Sequence, residues 1–423
     1  MKVTIKKARI IDPSSPHHLL VKDIAISDGT VSAIEDELDP GEGTVMSEPG
    51  LHVSPGWIDI FSNFNDPGHE YKETLESGAR AAAAGGFTDV MVLPNTKPVI
   101  DVKSIVEYVV QRSHSLPVSI IPIGAVTRNA EGRELAEMYD MRNSGALAFS
   151  DGLYPVQSAG ILVKALQYVK AFDGVIIQVP DDRSIAPQGL INEGIISTRL
   201  GLPGKPSMAE ELVVARDIKL ARYTDSRLHF TGVSSPKSLE YIKRAKESGI
   251  RVTCSVTPYH LFFCDEDLLD YDTNLKVNPP LRTKSDMMAL RRAVAEDVID
   301  CIATHHLPHE YDSKVLEFEY AKNGMIGLES AYAVLKTVLP ELSEDKWVKL
   351  LSLNAAAIFG LSKPKLATGQ VASLTLFNPD TRFMFTEKHL RSKSRNSPFL
   401  NKEMQGKVKG IINKGSVVLN ENN

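Results

Sequence analysis

Three histidines crowd one short stretch, Thr304-His305-His306-Leu307-Pro308-His309, and an isolated carboxylate stands in Phe149-Ser150-Asp151-Gly152. Imidazole and carboxylate are the side chains that bind zinc or move protons near neutral pH. A catalytic zinc needs about three such ligands converging on one ion, with a position left for water. His305 and His306 are adjacent, so on a strand their rings point to opposite faces and cannot share an ion. A site assembled from Asp151, His305 and His69 would need three ligands to converge without a recognisable spacing. His260, in Thr257-Pro258-Tyr259-His260-Leu261, suits loop packing equally well. Asp59-Ile60-Phe61-Ser62-Asn63-Phe64-Asn65-Asp66-Pro67-Gly68 offers amides and rings, and neutral amides are poor zinc ligands while a phenyl ring offers no donor at all. Cys254, Cys264 and Cys301 lack the CxxC spacing of zinc or redox sites and read as small reduced hydrophobes.

The elements that must position these residues recur along the middle of the chain. Apolar runs bounded by turn residues fall at 56–60, 88–93, 118–123, 146–149, 175–179, 228–230, 250–256 and 299–303. They are short and rich in Val, Ile, Leu or Phe, as strands covered on both faces are, and helical patterns at 75–84, 158–168 and 236–248 separate them. Eight such units predict an α/β chain folded as a (β/α)8 barrel, with its chemistry on loops at the strand C-termini. A doubly wound open sheet is the rival, but no G-x-G-x-x-G or G-x-x-x-x-G-K-[ST] pattern opens an early helix. Residues 1–53 and 364–423 instead alternate over short segments with Gly, Pro and Asp turns. Neither end holds a core alone, so together they are expected to form one small β-sandwich flanking a barrel of residues 54–363.

Composition removes other classes. The 423 residues carry a net charge of -5, which argues against nucleic acid as a partner. The basic cluster Lys388, Arg391, Lys393 and Arg395 has no interleaved aromatic residue for base stacking and reads as a solvated loop. No apolar run is long enough to span a bilayer, and Met1-Lys2-Val3-Thr4-Ile5-Lys6-Lys7 alternates like a strand rather than a signal peptide. A cytoplasmic protein without a membrane partner is expected.

Five segments resemble the dihydroorotases of the amidohydrolase superfamily. They are Asp66-Pro67-Gly68-His69-Glu70-Tyr71-Lys72-Glu73, Ala82-Ala83-Ala84-Gly85-Gly86-Phe87-Thr88, Leu93-Pro94-Asn95-Thr96, Val277-Asn278-Pro279-Pro280-Leu281-Arg282 and Ser392-Lys393-Ser394-Arg395-Asn396-Ser397-Pro398-Phe399. The resemblance implies the same barrel with a β-sandwich from both ends. It also implies His-x-His at the end of strand one, where this sequence has Phe61 and Asn63, and a substrate-gripping arginine where it has Asn65. The strand-five and strand-six histidines align with Gln178 and Gly232, and the strand-eight aspartate, the family's general base, aligns with His305. Asp151 is the one carboxylate left as a possible remnant of the metal centre. Asn95, Asn278 and His309 match residues that hold the cyclic substrate, although the two amides serve equally as caps of proline-bearing loops. Glu329 reads as a helix-start carboxylate.

Zinc is the family's metal, yet with these ligands absent no cofactor is expected. The resemblance therefore implies a metal-free dihydroorotase-like pseudoenzyme of pyrimidine biosynthesis that scaffolds or regulates aspartate transcarbamoylase and forms homo-oligomers. Two alternatives stay open: an active dihydroorotase or related cyclic amidohydrolase with an altered site, and a non-catalytic sensor of a small carboxylate ligand.

Overall fold

The computed structural model describes residues 2–41 and 43–420. Alternation at the N-terminus produces β1 (Lys2–Ile10), β2 (Val21–Ser27), β3 (Thr30–Glu35), β4 (Thr44–Ser47) and β5 (His52–Pro55). The middle of the chain supplies β6 (Trp57–Ser62), β7 (Phe87–Val92), β8 (Ser119–Pro122), β9 (Ala148–Phe149), β10 (Val175–Gln178), the short β11 (Ile191–Asn192) and β12 (Gly204–Lys205), then β13 (Arg227–Phe230), β14 (Val252–Val256) and β15 (Cys301–Ile302). The C-terminal part adds β16 (Leu374–Phe385), β17 (Lys402–Asn413) and β18 (Ser416–Leu419).

The two ends share one sheet, ordered β18-β17-β16-β5-β1-β2-β3, with β4 added beside β1. Its seam is the antiparallel β5–β16 pair, in which Pro55 lies opposite Leu374. A bridge from Thr30 to Val371 brings the β3 edge back toward the segment before β16. The sheet thus folds over a core of its own that includes Ile5, Ile24, Ile26, Val53, Leu374 and Ile412.

Eight parallel strands make the barrel. β6, β7 and β8 pair in sequence, as do β9, β10, β13, β14 and β15. A parallel bridge from Gly124 to Phe149 joins the two groups on one side. On the other side the Thr304 N–H donates to Asp59 Oδ1 at 2.6 Å and the Asn63 N–H to the His306 carbonyl at 2.8 Å. The sequence-predicted barrel is therefore the observed one, and the small β domain comes from both ends as expected.

Strand parity sorts side chains between two cores. Ile58, Ile60, Met91, Ile123, Val175, Ile177 and Cys301 fill the barrel interior, whereas Trp57, Val90, Ile176, Leu228 and Val256 face the surrounding helices. On β13 and β14 the inward positions are polar: His229 and Ser255, with Thr231 just past β13, are buried and Thr253 is half-buried, and all four are tied to one another by hydrogen bonds. The cysteines Cys254, Cys264 and Cys301 are all buried and reduced.

Candidate functional site

A cavity of about 380 Å³ opens at the C-terminal ends of the barrel strands. Phe61, Leu93, Val179, Tyr259 and His305 form its inner walls, and Arg183, Lys205, Asn278, His309 and Lys322 stand farther along its lining. The Phe61 ring leans on the His305 ring with centroids 4.4 Å apart. His305 sits at a φ of 47°, in the left-handed region, and its Nε2 meets Thr231 Oγ1 at 2.8 Å. Burial, with His260 and His229 nearby, pushes its pKa down to about 3, so the ring is neutral at physiological pH. Under it lies Gly232, at a φ of 70°, where an added Cβ would come within 2.6 Å of His305 Cε1.

The neighbouring histidines have other partners. His306 turns to Glu73, with Nε2 and Oε2 3.5 Å apart, longer than a good hydrogen bond, while its Nδ1 accepts from Gly327 N at 3.2 Å. His309 Nε2 meets the Asn323 carbonyl at 2.9 Å, and its buried Nδ1 has no partner among the described residues. Desolvation lowers its pKa to about 4. Among the described residues no group of three or more His, Cys, Asp or Glu side chains is placed to hold a metal ion.

A family model described as Dihydro-orotase-like matches residues 50–238, and one described as Amidohydrolase family matches residues 193–418. A protein named dihydroorotase from Syntrophus aciditrophicus is 38% identical over 426 residues, covering 100% of both chains. Another of that name from Geobacter metallireducens is 40% identical over 422 residues, covering 99% of each. The chain belongs to the dihydroorotase family. Its fold is also that of L-hydantoinase (dihydropyrimidinase) from Arthrobacter aurescens, with a TM-score of 0.86 at 23% identity over 99% of this chain and 96% of that one. Dihydropyrimidinase from Brevibacillus agri gives a TM-score of 0.80 at 19% identity, covering 99% of this chain and 95% of that one.

Set against the dihydroorotase pattern, the structure moves several expected residues. Gln178 is not at the mouth. Ile177 and Val179 both face the barrel interior, so the residue between them points to the helix layer, where Gln178 bonds Val156 N and O and reaches Asp217 Oδ2 at 3.4 Å. Val179 is the strand-five residue that lines the cavity. Asn95 is likewise committed elsewhere: its amide donates to the Asp151 carbonyl at 3.1 Å and its Oδ1 accepts from Leu153 N at 2.9 Å, which fixes the turn after strand four. Asp151 turns its carboxylate to Thr127, accepting from the backbone N–H at 2.9 Å and the hydroxyl at 2.5 Å, and does not line the cavity. Asn63 caps its own loop by accepting from Asn65 N at 2.9 Å.

Both adjacent histidines lie past the end of β15, and their rings nonetheless diverge, His305 to Thr231 and His306 to Glu73. His69 is outside the cavity, edge-on to Tyr71. His260 packs its loop through Thr257 and the Pro279 carbonyl. Glu329 stands just before Ser330, the cap of the helix Ala331–Val338, and its carboxylate accepts from the Arg391 and Ser392 N–H groups at 3.1 and 2.9 Å. In the basic segment Arg391, Lys393 and Arg395 are exposed while the intervening Ser392 and Ser394 are buried against the barrel mouth.

Asn278 and His309 do reach the cavity, and they come with charges the sequence reading missed. Lys205 donates to Asn278 Oδ1 at 3.0 Å and pairs with Asp181 at 2.7 Å, while Arg183 lies 5.4 Å over the Tyr154 ring. Lys205 enters through the β11–β12 pair, an excursion between strands five and six whose turn residues carry no periodic signal. The lining thus carries Arg183, Lys205 and Lys322 against the one carboxylate of Asp181.

Zinc, which the family implies, would supply a polarised carbonyl and an acidified water. The donor set does not fit it: Phe61, Val179 and Gly232 offer no ligand atom, Asn63 and Asp151 are spent on loops, and the His305 ring fills the space over Gly232.

Asp151 carries a pH signature. Burial raises its pKa to about 6 despite its bonds to Thr127. A raised carboxyl means the folded state binds more protons than the unfolded one between the unfolded value of 3.8 and about 6. Its contribution to stability is therefore full below that window and is lost as pH rises through it. Urea midpoints measured from pH 4 to pH 7 should show this fall in the wild type and a shallower one in Asp151→Asn; parallel profiles would assign the slope to other groups.

Proposed function

We propose that this dihydroorotase-family chain is a non-hydrolytic component of pyrimidine biosynthesis that organises aspartate transcarbamoylase. The observation that carries this reading is the packed His305–Phe61–Gly232 arrangement, which puts a neutral ring and a phenyl group where a hydrolase of this family needs metal ligands and a carboxylate base. Hydrolysis of an unactivated amide needs a strengthened nucleophile and a base matched to the operating pH. His305, neutral and already bonded through Nε2, lacks the basicity for that task.

A cytoplasmic setting belongs to the same reading, since no helix among the described residues is long and apolar enough to cross a membrane. The test has two arms. Purified protein supplied with zinc should leave dihydroorotate unhydrolysed, and mixing with aspartate transcarbamoylase should give a stable complex, or altered assembly of that enzyme, by size-exclusion chromatography with light scattering. The same measurement reads self-association. Zinc-dependent turnover would replace the proposal with an active cyclic amidohydrolase, the reading that the names of the relatives favour. Absence of a complex at high concentration would remove the partner.

One observation supports a second reading, a carboxylate-binding pocket without chemistry. Three cations and one carboxylate line a cavity that also holds Asn278. Calorimetry with dihydroorotate and carbamoyl aspartate is expected to give saturable heat. Lys205→Met should weaken binding by about ten- to a hundredfold, since a hydrogen bond to a charged group is worth about 1.5–3 kcal/mol. Flat titrations would exclude these ligands.

A further inference from the structure

A chain of imidazoles and hydroxyls crosses the barrel interior and ends at the cavity. Thr253 Oγ1 lies 2.8 Å from His229 Nδ1, and His229 Nε2 lies 3.0 Å from Ser255 Oγ. Ser255 Oγ donates to Thr231 Oγ1 at 2.9 Å, and Thr231 Oγ1 lies 2.8 Å from His305 Nε2. The first four lie on inward positions of β13 and β14 or just beyond β13, His305 follows β15, and all but the half-buried Thr253 are buried.

Proton counting gives this chain a direction. A hydroxyl has one proton to donate, and Ser255 gives its own to Thr231. Ser255 must then accept from His229 Nε2–H, which leaves His229 Nδ1 to accept from Thr253. Thr231 is fully buried, and His305 Nε2 is the one acceptor left for its proton among the described residues. A buried hydroxyl proton without an acceptor is costly, so His305 Nε2 is the bare nitrogen and Nδ1 carries the hydrogen. Nδ1 has no partner among the described residues, and the ring lines the cavity.

We infer that His305 is held as a neutral Nδ1–H donor and makes the inner end of the cavity a subsite for an uncharged carbonyl oxygen, closed to cations. This deepens the reading of the cavity as a ligand site and rests on it. A cation finds no lone pair there: the one on Nε2 is bonded to Thr231, and Nδ1 bears its proton. A carboxylate is disfavoured too, because Phe61, Leu93 and Val179 would surround its charge with apolar groups and a single neutral donor. Lys205, Arg183 and Lys322 line the same cavity, so an acidic group of the same ligand would meet cations rather than His305. The tilted contact with Phe61 and the close fit over Gly232 keep the ring from turning.

The tautomer can be read directly. In nitrogen-15-labelled full-length protein at neutral pH, long-range proton–nitrogen correlation should show His305 as Nδ1–H, assigned by the signal lost in His305→Phe. Acetamide, as carbonyl probe, should shift that signal saturably, and equimolar zinc chloride should leave it in place. Thr231→Ser keeps the hydroxyl and should keep the tautomer, whereas Thr231→Val should populate Nε2–H. An Nε2–H ring in the wild type, a zinc-induced shift, an unmoved signal with acetamide, or unchanged tautomers in Thr231→Val would each overturn the assignment. None of these outcomes depends on assembly with aspartate transcarbamoylase, so the two proposals fail separately.

Discussion

Replacing Glu73 with alanine should destabilise the protein by about 3–5 kcal/mol, because it strips the acceptor from several buried donors, each costing about 1–3 kcal/mol when left unsatisfied. Glu73 and His306 are both fully shielded from solvent. The carboxylate also accepts from the Ser77 and Ser392 hydroxyls and from Lys393 N at 3.0 Å. Burial alone would raise its pKa, but His306, Ser392 and Ser77 outweigh this and hold it below the ordinary glutamate range. Four attachments from three distant stretches of chain therefore converge on one side chain: the helix Leu75–Ala84, the end of strand eight and the segment after residue 390. Alanine would leave His306 Nε2 facing a void and release two serine hydroxyls. Urea midpoints and thermal melts measure the loss, with Glu73→Gln falling between the two because it keeps hydrogen bonds and removes the charge. A Glu73→Ala midpoint equal to wild type would show that the segment after residue 390 is held by other contacts.

The second large effect concerns attempts to rebuild a metal centre. Gly232→His alone should destabilise by about 2–5 kcal/mol, adding left-handed backbone strain to overpacking, and should bind no zinc. The clash is specific: an added Cβ meets His305 Cε1 at 2.6 Å. Combining Gly232→His with His305→Asp removes the obstructing ring and should recover part of the stability. That pair supplies two donors, and adding Phe61→His, Asn63→His and Val179→His takes the set past the three a zinc site needs. Metal analysis after dialysis should then find zinc near equimolar in the full set and traces in Gly232→His. Stoichiometric zinc in the wild type would sink this account, and a wild-type melting temperature for Gly232→His would refute the packing argument.

Much of this was legible in the residue order, for physical reasons that also mark where legibility ends. Strands buried on both faces must be apolar throughout, so the barrel announces itself in short runs such as Val175 to Ile177. The burial of Gln178 away from the cavity is a matter of parity rather than residue type: alternation from Ile177 turns Gln178 to the helix layer and Val179 inward. The imidazole–hydroxyl chain was readable by the same rule: Leu228-His229-Phe230-Thr231 and Val252-Thr253-Cys254-Ser255-Val256 alternate apolar and polar where a doubly covered strand should not. Lys205 and Arg183 were not readable, because their place in the cavity depends on how a long excursion folds back over the mouth.

The seam between β5 and β16 also bears on how the protein is made. Pro55 finds its partner Leu374 only after more than three hundred further residues have been added. At about 5–20 residues per second, the nascent β5 waits on the order of 15–60 s with an open edge. Completion of the chain, rather than closure of the barrel, then sets the moment at which a newly synthesised molecule ceases to need protection from aggregation.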